Sequence, residues 1–130
     1  MVSILLISHS SKVADGARDI AAEMAGNDVV IVACGGTADG RIGTDPDRVA
    51  RAVDALAFGD GLVILADLGS SVMSAQMAVE SLPEERRAKV IIANAPIVEG
   101  AVLAAIEASM GRSLAEVDKA AQSAHTMTKA

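Results

Sequence analysis

Apolar residues fall in short unbroken runs separated by amphipathic stretches, and this alternation repeats along most of the chain. The first run, Val2-Ser3-Ile4-Leu5-Leu6-Ile7, is continuous enough to predict a strand buried on both faces. Val13, Ala17, Ile20 and Met24 then recur at helical spacing. Ser10 or Ser11 can cap that helix and Gly26 ends it. Further strands are predicted over 28–33, 62–66 and 90–93. The second is followed by a Gly-rich loop over 34–44, and Asp45-Pro46 then starts a helix with the acid as N-cap and proline at the first helical position. Val49, Val53 and Leu56 mark its inner face. A third helix starts near Gly69, offers Val72, Met73, Ala75, Met77 and Val79 for packing, and stops at Pro83. Asn94-Ala95-Pro96 closes the fourth strand. Two helices follow, Val98 to Met110 and Leu114 to His125, separated by Gly111, with Ser113 and Glu116 spaced as a capping box.

Strands alternating with helices across short connections predict a single-domain, three-layer α/β/α fold with a mostly parallel sheet of about four strands. The domain is expected over residues 1–125, with a frayed tail over 126–130. In such a sheet the second strand lies on one side of the first and the third on the other. The ends of strands one and three should therefore meet at the carboxyl edge, where open α/β sheets collect their ligands.

At 130 residues the chain has room for one real core. Cys34 is the only cysteine, so no internal disulfide forms and a reduced, cytoplasmic setting is expected; its place after a strand suits a small apolar filler. No secretory leader is evident, and no apolar run approaches the ~20 residues of a membrane span. A net charge of -6 without a basic patch argues against nucleic-acid or membrane-surface partners. Phe58 is the only aromatic, which removes most support for a flavin site or a base-stacking platform.

The candidate chemistry lies at the strand ends. His9 follows the first strand and Asp67 the third. A carboxylate accepting from one imidazole nitrogen fixes the tautomer and leaves the other nitrogen's lone pair directed outward. Ser10, Ser11, Gly69, Ser70 and Ser71 surround this pair at predicted helix N-termini, where free amides and the helix dipole favour an anion and small side chains let a phosphoryl group approach. Neither G-x-x-x-x-G-K-[ST] nor G-x-G-x-x-G is present, so direct ATP or dinucleotide binding is not indicated. No metal site is expected. The segment from Gly35 to Gly43 reads equally as a flexible connection or as a substrate or partner loop. Met73 and Met77 suit core or dimer packing, and His125 suits a solvated tail.

Four segments together carry a family resemblance across essentially the whole chain. Ser8-His9-Ser10, Gly43-Thr44-Asp45, Asp67-Leu68-Gly69-Ser70 and Asn94 to Gly100 resemble the DhaM family, the phosphoryl-donor subunits of bacterial phosphoenolpyruvate-dependent dihydroxyacetone kinase, whose IIA domain is of the mannose type. The resemblance implies that His9 takes a phosphoryl group at Nε2 from the histidine phosphocarrier HPr. The group then passes to ADP, held with magnesium on the DhaL subunit, and on to dihydroxyacetone on DhaK. No cofactor would bind this chain directly, and a homodimer is expected. Asp67 would orient the histidine, while Gly43 and Thr44 would belong to a partner or site loop. Some family members append HPr-like and Enzyme I-like domains, so a chain of this length is expected to obtain phosphate from separate proteins. Alternatives are a mannose-type sugar-transport IIA domain, a receiver-like domain phosphorylated at Asp67, a histidine phosphatase without its Arg-His-Gly start, and a noncatalytic interaction domain.

Overall fold

The computed structural model describes all residues from Met1 to Ala130. Its four strands are β1 (Ser3–Ser8), β2 (Ile31–Gly35), β3 (Leu62–Ala66) and β4 (Val90–Ile92). They form one parallel sheet in the order β2-β1-β3-β4. This is the expected three-layer arrangement, with β1 flanked by β2 and β3. Strand side chains alternate between two cores, as the pleat requires. Ile4, Leu6, Val63 and Leu65 face α1 (Ser11–Ala25), α5 (Ile97–Ser109) and α6 (Leu114–Gln122). Leu5, Ile7, Leu62 and Ile64 face α2 (Pro46–Leu56) and α3 (Gly69–Glu80). Each fully buried aliphatic side chain of this set contributes about 1.5–3 kcal/mol by leaving water.

Helix faces depart from the expectation. The buried residues of α1 are Ala14, Ala17 and Ala21, while Val13, Ile20 and Met24 are exposed. In α3 the buried positions are Ser71, Ser74, Ala75 and Ala78, and Met73 and Met77 are 61% and 62% exposed, so they are not core residues. The reason is steric. The helices approach the sheet and each other on alanine and serine faces, which close packing selects over larger side chains. Gly100 shows the same constraint: a Cβ there would lie 2.7 Å from Leu65 Cδ2 and 3.0 Å from Ala95 Cβ.

The capping residues act as expected. Ser10, not Ser11, caps α1 by accepting from the Val13 amide, Asp45 caps α2 by accepting from the Arg48 amide, and Ser113 with Glu116 completes a reciprocal capping box on α6. Boundaries differ at several places. Strand β2 covers Ile31–Gly35 rather than 28–33, so Cys34 and Gly35 extend the strand instead of opening the loop, and β4 ends at Ile92 rather than residue 93. Helix α3 ends at Glu80 before Pro83 is reached, a short helix α4 (Glu84–Arg87) is additional to the expected elements, and α6 ends at Gln122 with a 3-10 turn over Ser123–Thr126. Pro83, three residues beyond the end of α3, is the N-cap of α4. His125 is not merely solvated, because its Nε2 lies 2.7 Å from the Asn94 carbonyl and ties the final turn to the end of β4. Lys129 pairs with Glu99.

Candidate functional site

Parallel pairing of β1 with β3 brings Ile7 opposite Ala66, so the next residues along each strand emerge together at the carboxyl edge. His9 Nδ1 stands 2.9 Å from Asp67 Oδ1. The two side chains are 22% and 19% exposed, so both are partly sheltered at the sheet edge. Asp67 accepts three more hydrogen bonds: from Ser8 Oγ at 2.7 Å, from the His9 amide at 3.0 Å and from the Leu68 amide at 2.7 Å. Burial acts to raise the Asp67 pKa. Donation from Ser8, the His9 ring and the two amides overcomes it and holds the carboxyl well below the usual range.

An ionised Asp67 only accepts, so His9 Nδ1 carries the hydrogen and Nε2 of the neutral ring presents a lone pair. Ser70 Oγ lies 2.5 Å from that nitrogen and therefore donates to it. With its one hydrogen committed, Ser70 accepts from Thr44 Oγ1 at 3.0 Å. The tautomer thus orients a chain of donors running from Thr44 through Ser70 and His9 to Asp67.

The other expected site residues take different positions. Ser71 is buried, with Oγ 3.1 Å from Nδ1, on the side away from the exposed nitrogen. Ser10 uses its hydroxyl as the α1 cap, and Ser11 has no hydrogen bond to the histidine. Gly69 opens α3, whose N-cap Leu68 offers no side-chain acceptor to the first-turn amides. The Gly43 amide donates to the His9 carbonyl at 2.9 Å, fastening the Gly-rich loop to the site. Ser8 was not singled out as a site residue. Its buried hydroxyl donates to Asp67 and accepts from the Ser10 amide at 3.1 Å. A polar residue closing an otherwise apolar strand was the available signal. Beside Asp67 runs a cleft of about 380 Å³ lined by Ala66, Val72, Gln76, Ile92 and Asn94.

Such a site presents one imidazole lone pair next to a helix N-terminus, an arrangement for taking up a group that carries negative charge. Both oxygens of Asp67 are occupied by donors. A family model described as the PTS system fructose IIA component, EIIA-man, matches residues 3–118. The chain belongs to this family.

Within it the similarity runs to DhaM proteins. The phosphoryl donor subunit DhaM of PEP-dependent dihydroxyacetone kinase 2 from Listeria innocua is 40% identical over 107 residues, which are 82% of this chain and 86% of that protein. Its counterpart in kinase 1 of the same organism is 42% identical over 107 residues, 82% of either chain. DhaM of Escherichia coli K12 is 35% identical over 122 residues, or 92% of this chain, but the match spans only 25% of that longer protein. A crystal structure of a protein of unknown function, EF1359, shares the fold with a TM-score of 0.81 and 34% identity, covering 93% of this chain and 92% of its own. No helix of this IIA domain is long and apolar enough to cross a membrane.

Proposed function

We propose that this IIA domain is a phosphohistidine carrier of a phosphoenolpyruvate-dependent dihydroxyacetone kinase. The observation that carries the reading is the placement of the His9 ring, with Nδ1 2.9 Å from Asp67 Oδ1 and Nε2 2.5 Å from Ser70 Oγ at the start of α3. HPr is the donor. The Nε2 lone pair attacks phosphorus in line, the P–N bond to the donor histidine breaks, and the Asp67 carboxylate balances the positive charge that develops on the ring. Ser70 turns its hydroxyl from Nε2 to a phosphoryl oxygen, and the uncapped amides of the first turn of α3 face the same charge. Ser10 contributes by capping α1, the helix that begins directly after His9 and Ser10.

The group then leaves for ADP, held with magnesium on DhaL, and reaches dihydroxyacetone on DhaK, so this chain itself binds no cofactor. A cytoplasmic homodimer is the assembly proposed. Because phosphate must pass onward, His9 is kept at the edge of the sheet rather than enclosed. The test is incubation with phosphoenolpyruvate, Enzyme I and HPr, followed by intact-mass and peptide analysis. An acid-labile, base-stable label on His9 is the expected result. A label on Asp67, or none, refutes the carrier.

A further inference from the structure

The loop between β2 and α2 packs against the His9 site. It is closely tied: Thr37 donates its amide to the Arg41 carbonyl at 2.9 Å, its hydroxyl accepts from the Arg41 amide at 3.0 Å, and the Gly36 amide donates to the Ser8 carbonyl at 3.2 Å. Gly43 adopts φ 147° with space for no side chain, since a Cβ would lie 2.7 Å from Thr37 Cγ2. That conformation lets the Gly43 amide reach the His9 carbonyl at 2.9 Å and sets the next residue, Thr44, 3.0 Å from Ser70. Asp45 then caps α2, so the loop is anchored at both ends.

We infer that Thr44 is a positioning residue for phosphoryl transfer, acting through Ser70 on His9 Nε2, and that the loop over 36–44 forms the wall of the phosphoryl site opposite α3. The inference rests on the phosphohistidine reading. A serine hydroxyl rotates freely, and one that both caps Nε2 and must release it needs a second partner to define its direction. Thr44 is that partner. In the resting state it donates to Ser70, which keeps the Ser70 hydrogen on Nε2. Once Nε2 is bonded to phosphorus its lone pair is gone, and the freed Ser70 hydrogen turns to a phosphoryl oxygen while Thr44 holds the serine oxygen in place. The loop therefore contributes through one oriented hydroxyl, not through contact with the donor protein.

The test compares wild type, Thr44→Val and Thr44→Ser for phosphorylation of His9 by phosphorylated HPr over a range of donor concentrations. Valine keeps the shape and removes the hydroxyl; serine keeps the hydroxyl. Thr44→Val is expected to lower the maximal rate about five- to tenfold, the worth of one neutral hydrogen bond, with half-saturation by the donor unchanged. Thr44→Ser is expected within about twofold of wild type. An unchanged rate in Thr44→Val overturns the inference. So does a raised half-saturation at full maximal rate, which marks a docking role, or a Thr44→Ser protein as slow as Thr44→Val, which marks a packing role. Matching circular dichroism and melting curves for the three proteins keep a folding defect from imitating the rate effect. Absence of label on wild-type His9 instead removes the phosphohistidine reading itself.

Discussion

Replacing Asp67 by asparagine separates charge from shape at the site. The carboxylate receives four donors: the Ser8 hydroxyl at 2.7 Å, the His9 amide at 3.0 Å, the Leu68 amide at 2.7 Å and His9 Nδ1–H at 2.9 Å. An amide can meet only part of that set, because each oxygen of Asp67 faces a backbone N–H. Turned with its NH₂ toward Ser8, it opposes the His9 amide; turned the other way, it opposes the Leu68 amide and forces His9 to protonate Nε2. The first orientation leaves a backbone N–H unpaired at about 1–3 kcal/mol, and the second removes the lone pair proposed to receive phosphate. In the first, a charge-assisted bond to the ring becomes a neutral one, a loss of about 1.5 kcal/mol at the transition state and hence about tenfold in rate. Asp67→Asn is therefore expected to slow phosphorylation about 10- to 100-fold in rapid-quench assays, and to shift the His9 ring toward the Nε2–H tautomer in ¹⁵N spectra. The folded structure should survive with a lower melting temperature. A variant phosphorylated at the wild-type rate would refute the assignment of Asp67 as the orienting charge.

Four other outcomes follow from the same geometry. His9→Ala should abolish phosphoryl uptake while leaving circular dichroism unchanged, since the ring lies at the sheet edge and Asp67 keeps its three other donors. Ser8→Ala removes a buried hydroxyl that bridges Asp67 and the Ser10 amide, so it should cost about 1–3 kcal/mol in urea unfolding and also slow uptake. Gly100→Ala places a methyl 2.7 Å from Leu65 Cδ2, and should destabilise by about 1–3 kcal/mol without changing the transfer rate once folded. The acid limb of stability should also carry the signature of Asp67. Its folded pKa is depressed, so its ionisation stabilises the fold fully above the unfolded value near about 3.9 and that contribution is lost as pH falls through the lower folded value. The stability gap between wild type and Asp67→Asn should accordingly hold from neutral pH to about 4 and narrow below it; a gap that narrows nearer pH 6 would contradict this.

By itself the sequence determined the order of the strands and the longer helices, the parallel sheet, three helix starts and the meeting of His9 with Asp67. These are legible because strand burial and helix caps are local patterns, and because a strand order placing β1 between β2 and β3 brings the two strand ends to one edge. Tertiary structure decided what periodicity cannot rank. Helical spacing picks out Val13, Ala17, Ile20 and Met24 as the apolar positions of α1, yet of these only Ala17 is buried, beside Ala14 and Ala21, because the distance between packed elements selects small side chains. The same holds for Met73 and Met77 against Ala75 and Ala78. Hydroxyl direction is likewise invisible in a string of serines. Only the folded chain sends Ser8 to Asp67, Ser70 to Nε2, Ser71 toward Nδ1 and Ser10 to its helix cap, and only the loop geometry after β2 delivers Thr44 to Ser70. Hydrogen bonds between residues distant in sequence depend on where the backbone brings them, which a linear pattern does not contain.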